Sequence, residues 1–399
     1  MHIGFIEDTH LHGGTQIWVT EATRHLLACG EAVTVLTPEG SWVAEQCAEA
    51  AAGVVPYDWE EVVNQDDHNK RIWTDALSDC DVAVCTVHPP RKGFHCSVFA
   101  AQCIKEGELK THLIAKTGTI VPAYRREFYV PDEAIRSSVI AIADFTRKYL
   151  IDTYNIPKGM VTLIYQGTDI RRFRSTQEAR AEAPQRYPLP ENTGPILGCV
   201  GSFEHRKGQS VLLEAVYRLV AGPLPHLHLI LVGDGPDEEM LKAQGKTMGL
   251  EKSVHFFPFT GEPEYVFERI DITVLPSLYK EGLPNVLLES MTMGVPVVAS
   301  NLGGVSEVVL ESETGYVVEP GDSEQLADAI HWLWSDPAAY RRMSECGRGL
   351  VEARFDKEKQ FNRFLDYFRC CISSSDSLEL SSFQPNAANG YKNNNLCSD

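Results

Sequence analysis

Short apolar runs alternate along this chain with stretches whose apolar residues recur at helical spacing. His2-Ile3-Gly4-Phe5-Ile6 predicts a strand ending in a polar, glycine-bearing turn. Gln16 to Ala28 then predicts a helix with Ile17, Thr20, Ala22, Leu26 and Leu27 on a loosely apolar face. The pattern continues with a strand at 32–37, a helix at 44–52, and strands at 81–87 and 113–115. A strand at 138–143 leads into the helical RKYLIDTY, and another at 161–165 ends at QGTD. Continuous apolar strands spaced by helices indicate a mostly parallel sheet covered on both faces.

The alternation pauses at Arg171 to Pro195, a charged, proline-bearing stretch read as a connection between domains. It restarts with a strand at 196–201, a helix at 209–220, a strand at 227–233, a helix at 238–248 and a strand at 254–256. A strand at 270–275, a long loop to Glu281, a helix from Asn285 to Met293 and the strand VPVVAS follow. The expected organisation is therefore a first α/β domain over 1–170, the connection 171–195, and a second α/β domain over 196–350. A closing helix within 351–372 carries Phe361, Phe364, Leu365 and Phe368 at helical spacing. The segment 373–399, rich in Ser and Asn without core-forming periodicity, is expected to be a disordered tail.

Composition changes this picture little. A chain of 399 residues suits two cores. Its formal charge of −19 argues against a nucleic-acid partner, which would need a basic field. Arg125-Arg126, Arg171-Arg172 and Arg206-Lys207 remain as local basic spots. The 11 cysteines include no CxxC pair, so reduced thiols and a cytoplasmic setting are expected. The sequence shows no leader pattern and no apolar run long enough to span a bilayer, leaving peripheral contact, at the inner face of a membrane, as the one membrane association expected.

Open parallel sheets bind ligands beyond the carboxyl ends of their strands, where helix N-termini offer free N–H groups. In the first half that position holds His10-Leu11-His12-Gly13-Gly14-Thr15, which reads either as a backbone approach to phosphate or as a tight strand-to-helix turn. It lacks GxGxxG spacing. Gly233-Asp234-Gly235-Pro236 reads as a plain turn, and His88 in VHPPR as a turn residue, with a functional imidazole as the alternative. In the second half, Lys207 follows Gly201-Ser202-Phe203-Glu204-His205-Arg206, where a cation beside a glycine turn can neutralise a diphosphate. The most informative run is Glu281-Gly282-Leu283-Pro284-Asn285-Val286-Leu287-Leu288-Glu289. It places one carboxylate before a helix tip and another on its second turn, a pattern suited to the hydroxyls of a sugar and a ribose joined by phosphates.

These residues resemble the glutamate, seven residues, glutamate motif of retaining glycosyltransferases of family 4. VGSFEHRKGQSVLLEA, LILVGDGP, VLPSLYKEGLPNVLLESMTMGVPVVASNLGGVSEVV and TGYVVEPGD are similar to that family's blocks and occur in its order. The resemblance implies the GT-B architecture, α/β with two facing Rossmann-like domains and a deep cleft. It also implies a glycosyltransferase that moves a hexosyl group, with retention, from a nucleotide diphosphate sugar to a hydroxyl of a glycan or lipid-linked glycan, as in polysaccharide biosynthesis. UDP-glucose is the first donor to consider, and no metal is expected. By the same resemblance Glu289 binds the ribose, Glu281 the transferred sugar, and Lys207 the diphosphate. Gly13, Gly14 and Thr15 approach the phosphates from the first domain, Phe259 and Thr260 lie in the loop that meets the base, and Gly282 to Val286 line the donor site. Two positions depart from the family: Ser202 stands where an Arg is usual, with Arg206 as the compensating charge, and Lys116-Thr117-Gly118-Thr119 stands where a His is usual. A nucleotide-sugar epimerase and a noncatalytic nucleotide-sugar-binding protein are the alternatives; oligomeric state is not read.

Overall fold

The computed structural model describes residues 1–10, 13–118, 124–190 and 194–373. They divide into two units, one of Met1–Tyr165 completed by the last helix from Lys359, the other of Gln166–Glu358.

The first unit holds seven parallel strands: β1 (His2–Ile6), β2 (Ala32–Pro38), β3 (Gly53–Tyr57), β4 (Val82–Thr86), β5 (His112–Lys116), β6 (Ser137–Ala141) and β7 (Val161–Leu163). Their spatial order is β3-β2-β1-β4-β5-β6-β7, with Ile3 in register with Val33 on one side and Val82 on the other. All five residues of β4 and of β5 are buried, as a sheet covered on both faces requires. The order reverses between β1 and β4, so the crevice beyond their carboxyl ends is the position where such sheets bind ligands.

The helix Lys357–Ser373 belongs to this unit's core. Phe361, Phe364 and Phe368 pack with Phe5, Trp18, Val84 and Ile114, and the Trp18 and Phe364 rings lie 5.0 Å apart. This helix thus adds apolar surface to the core of the first unit, at about 1.5–3 kcal/mol for each large side chain buried.

The second unit holds six parallel strands: β8 (Ile196–Val200), β9 (His228–Val232), β10 (Val254–Phe257), β11 (Ile272–Leu275), β12 (Val297–Ser300) and β13 (Gly315–Val318), ordered β10-β9-β8-β11-β12-β13. Here the reversal falls between β8 and β11.

Residues 171–195 carry a helix of this second unit, Gln177–Arg186, started by Thr176, whose side chain accepts from the Ala179 N–H. Arg172, Arg180 and Arg186 pair with Glu264, Glu268 and Glu262, while Phe173 and Tyr187 enter the core beside Val266 and Phe267. The stretch looks like a linker in sequence because charge, not an apolar stripe, fastens its helix. Among the described residues nine cysteines are free thiols. The expected tail beyond Ser373, Leu11 and His12 of the glycine loop, and Thr119 lie outside the described residues. Among the described residues no helix is long and apolar enough to cross a membrane.

Candidate functional site

The second unit's site grows from the loops after β8 and β11. After β8 the chain makes a single 3-10 turn, His205–Lys207, and leaves it through Gly208 at φ 69°. A Cβ on Gly208 would lie 2.0 Å from the Pro276 carbonyl oxygen, so only glycine lets the two loops touch here. The Leu278 N–H donates to the Arg206 carbonyl at 2.8 Å and stitches the same contact.

This seam aligns the charged groups. Lys207 Nζ donates to Glu281 Oε1 at 2.7 Å, and Ser277 Oγ donates to the same oxygen at 2.6 Å. Among the described residues no donor reaches Glu281 Oε2, which remains an acceptor for a ligand hydroxyl. Glu281 itself is buried. Arg206 lies at the edge: its Nε donates to Glu204 at 2.8 Å, and its Nη1 is 3.9 Å from Glu281 Oε1. Ser202 contributes its carbonyl, which accepts from Gln209 Nε2 at 2.9 Å and ties the loop to the helix that follows.

The helix Asn285–Thr292 starts at Pro284, and no side chain caps it. Gly282, Leu283 and Pro284 are buried at its tip, and Gly303 at φ 56° holds the next loop against them: a Cβ there would lie 2.1 Å from the Glu281 carbonyl oxygen. The uncapped first turn leaves its N–H groups for an anion. Asn285 Oδ1 is buried and unpartnered, and Asn285 and Glu289, four residues apart, share one helix face, both half-buried. Val286 is also half-buried. In the loop after β10, Phe259 is 67% exposed, while Thr260 Oγ1 accepts from the Glu262 N–H at 3.0 Å.

Gly233 and Gly235 have a packing role. A Cβ on Gly233 would lie 2.1 Å from the Gly201 carbonyl oxygen, and the Phe203 N–H donates to the Asp234 carbonyl at 2.7 Å. The turn interlocks with the loop after β8, which accounts for its glycines without a nucleotide.

In the first unit, Gly13 is extended at φ −157° and precedes the helix Gly14–Ala28, whose N-terminus has no side-chain cap; Thr15 stands in its first turn. The sequence reading overlooked what lies beside it at the β1/β4 reversal. Glu7 and Asp8 follow β1, His88 follows β4, and Lys116 ends β5. His88 is no surface turn residue: its Nε2 lies 3.8 Å from Glu7 Oε1 and its Nδ1 3.6 Å from Asp8 Oδ1. Burial lowers its pKa. Burial first, and the neighbouring Asp8 second, push the Glu7 carboxyl up to about 8. Lys116, standing where a His is usual in the family, is buried with its Nζ 4.1 Å from the Trp18 ring centroid, and burial lowers it to about 7. The signal available in sequence was the acidic pair placed directly after an apolar strand, where a parallel sheet opens to ligands.

Comparison with known proteins fits this geometry. Residues 181–349 match the family model for glycosyl transferases group 1, the region that holds Lys207, Glu281 and Glu289. A GDP-mannose-dependent alpha-(1-6)-phosphatidylinositol monomannoside mannosyltransferase of Mycolicibacterium smegmatis is 31% identical over 219 residues, covering 53% of this chain and 56% of the relative. An uncharacterized glycosyltransferase of Haemophilus influenzae is 36% identical over 154 residues, covering 38% of this chain and 43% of the relative. The matched segments thus span about half the length of these curated relatives. The crystal structure of Anabaena Alr3699/HepE in complex with UDP superposes with a TM-score of 0.81 at 19% identity, over 93% of this chain and all of that one. The chain is related to the glycosyl transferases group 1 family and has its GT-B-like architecture of two Rossmann-like units.

Proposed function

We propose that this protein is a retaining glycosyltransferase that moves a hexosyl group from a nucleotide diphosphate sugar to a hydroxyl of a glycan or lipid-linked glycan. The observation that carries this reading is the Lys207–Glu281 pair, held by Ser277 at the β8/β11 reversal beside an uncapped helix N-terminus. Such a site offers positive charge and free N–H groups to a diphosphate, and a carboxylate oxygen to a sugar hydroxyl.

In the reaction the bond from the anomeric carbon to the phosphate oxygen breaks, and its electron pair leaves with the diphosphate. The acceptor oxygen bonds to the same carbon and gives up its proton. Lys207, with Arg206 beside it, stabilises the charge that grows on the leaving diphosphate, joined by the N–H groups at Asn285 and Val286. Glu281 orients the transferred sugar, Glu289 takes the ribose hydroxyls, and the loop of Phe259 and Thr260 meets the base. Gly13, Gly14 and Thr15 are assigned to the phosphates, with Ser202 shaping the loop that carries Lys207. Retention follows from the family resemblance, with a departing phosphate oxygen taking the acceptor's proton. A lipid-linked acceptor would bring peripheral membrane contact and a cytoplasmic face with it.

UDP-glucose is the first donor on this reading. GDP-mannose is the second, favoured by the mannosyltransferase relative, whose name specifies that donor. A panel of both sugars, with product detection on a glycoside acceptor, tests the proposal. Transfer supports it; conversion of the free donor to its epimer, or binding without turnover, would favour an epimerase or a noncatalytic binding protein.

A further inference from the structure

The first unit keeps three polar atoms buried and unpartnered at one point: Glu7 Oε2, Asp8 Oδ1 and His88 Nε2. Glu7 is 1% exposed. A buried polar atom that nothing satisfies is costly, so three together call for an occupant.

The surrounding backbone is braced to hold them. Tyr57 Oη donates to the Glu7 carbonyl at 2.6 Å, and Trp59 Nε1 to the Asp8 carbonyl at 2.8 Å. Arg91 reaches the Asp8 carbonyl at 3.2 Å and Thr9 Oγ1 at 2.8 Å. The backbone that carries the two carboxylates is thus fixed at the β1/β4 reversal; Glu7 Oε1 accepts from the Asp8 N–H at 3.1 Å, while Glu7 Oε2, Asp8 Oδ1 and His88 Nε2 stay open.

Two ligand chemistries compete for such a cluster, a divalent cation and a hydroxylated ligand. The three ligand atoms lie within 4.8 Å of one another, close enough to raise the first. Two facts oppose it. The ring leans a different nitrogen toward each carboxylate, Nε2 to Glu7 Oε1 at 3.8 Å and Nδ1 to Asp8 Oδ1 at 3.6 Å, so its edge bridges the pair rather than aiming one nitrogen at a shared point. Lys116 and Arg91 already bring positive charge to the cluster, and both disfavour a further charge on His88. A neutral hydroxyl suits the mixture better. It donates to a carboxylate oxygen and accepts from an imidazole or carboxyl proton at the same time. The raised Glu7 and the lowered His88 and Lys116 agree with a site kept close to neutral.

We propose that Glu7, Asp8 and His88 form a polyol subsite in the first unit, which binds vicinal hydroxyls of the acceptor. This deepens the proposed function and rests on it, because the acceptor there is a carbohydrate. His88 Nδ1 faces Asp8 Oδ1 at 3.6 Å, and Nε2 and Glu7 Oε2 are the pair assigned to the ligand.

The test uses the full chain labelled with 15N-histidine. The His88 ring resonances, assigned by their loss in His88→Gln, are followed by NMR during titration with myo-inositol and methyl α-glucoside, then separately with glucosamine and with Mn²⁺. Saturable shifts with the two neutral polyols, abolished in Glu7→Gln, are expected. Glu7→Gln should also melt at the same temperature as the parent or higher, because an amide in place of a carboxylate with an unpartnered oxygen relieves cost; a structural brace would lose stability instead. No shift with the polyols, a response to glucosamine alone, selective broadening by Mn²⁺, or a lowered melting temperature in Glu7→Gln would each overturn the proposal. Nucleotide binding measured on the same samples separates the two levels: its loss defeats the transferase reading, whereas its presence without polyol shifts defeats only the subsite.

Discussion

Lys207 and Glu281 are separated by 74 residues in sequence, yet their side chains meet at 2.7 Å across the loops that follow β8 and β11. Both are mostly buried, with 18% and 7% of their side chains exposed, so the pair is shielded from the solvent that weakens surface ion pairs. Lys207→Ala leaves the Glu281 charge with Ser277 as its remaining close donor. The expected outcome is a loss of about 1–3 kcal/mol in stability and weaker diphosphate binding by about 10–100-fold. Thermal melting and calorimetry on one preparation check both.

The two glutamates of the motif carry different loads. Glu289→Gln should weaken nucleoside diphosphate and intact donor alike, because both contain ribose. Glu281→Gln should spare nucleoside diphosphate affinity relative to Lys207→Ala and lower kcat, since its free oxygen serves the transferred sugar. Binding and steady-state transfer on the same variants separate these outcomes. Equal loss of nucleotide affinity in both would count against the allocation.

Gly208 is required by sterics. Gly208→Ala places a methyl group against the Pro276 carbonyl at a left-handed backbone position, so a loss of about 2 kcal/mol or more is expected, together with diphosphate binding. Gly245→Ala, in a helix with open space around it, is the control and should be neutral or stabilising. Denaturant unfolding of the pair reads the difference.

Stability should also depend on pH through the first unit. Glu7 titrates near 8 in the fold and near 4.5 unfolded, so between those values the folded state holds the extra proton and stability falls as pH rises. Lys116 titrates near 7 in the fold and near 10.5 unfolded, so between those values the unfolded state holds the extra proton and stability rises with pH. Together they predict a minimum around pH 7 to 8, with slopes of at most about 1.4 kcal/mol per pH unit from either group. Glu7→Gln should remove the falling limb. An unchanged curve in that variant would show that the burial of Glu7 does not govern its titration.

Most of the strands and the helix Asn285–Thr292 were legible because apolar runs and turn residues mark parallel-sheet elements directly. The helix Gln177–Arg186 was not, because arginine–glutamate pairs and one alanine face hold it. Strand β3 was obscured by Pro56, which an edge strand tolerates. Lys207, Glu281 and Glu289 could be named from motif spacing, but the convergence of Lys207 and Ser277 on one oxygen of Glu281 needs the fold. The Glu7, Asp8 and His88 cluster stayed hidden for a related reason. Its members follow β1 and β4, strands that are neighbours in the sheet but start at His2 and Val82 in the chain.

The central claim is that Lys207 and Glu281 mark a diphosphate site in the second unit. Calorimetry of the full chain with UDP against uridine, and GDP against guanosine, tests it most directly, with Lys207→Ala alongside. The account predicts that at least one diphosphate binds about tenfold or more tightly than its nucleoside, and that Lys207→Ala closes most of that gap. Equal affinity for nucleoside and diphosphate, or a gap that survives Lys207→Ala, would contradict it.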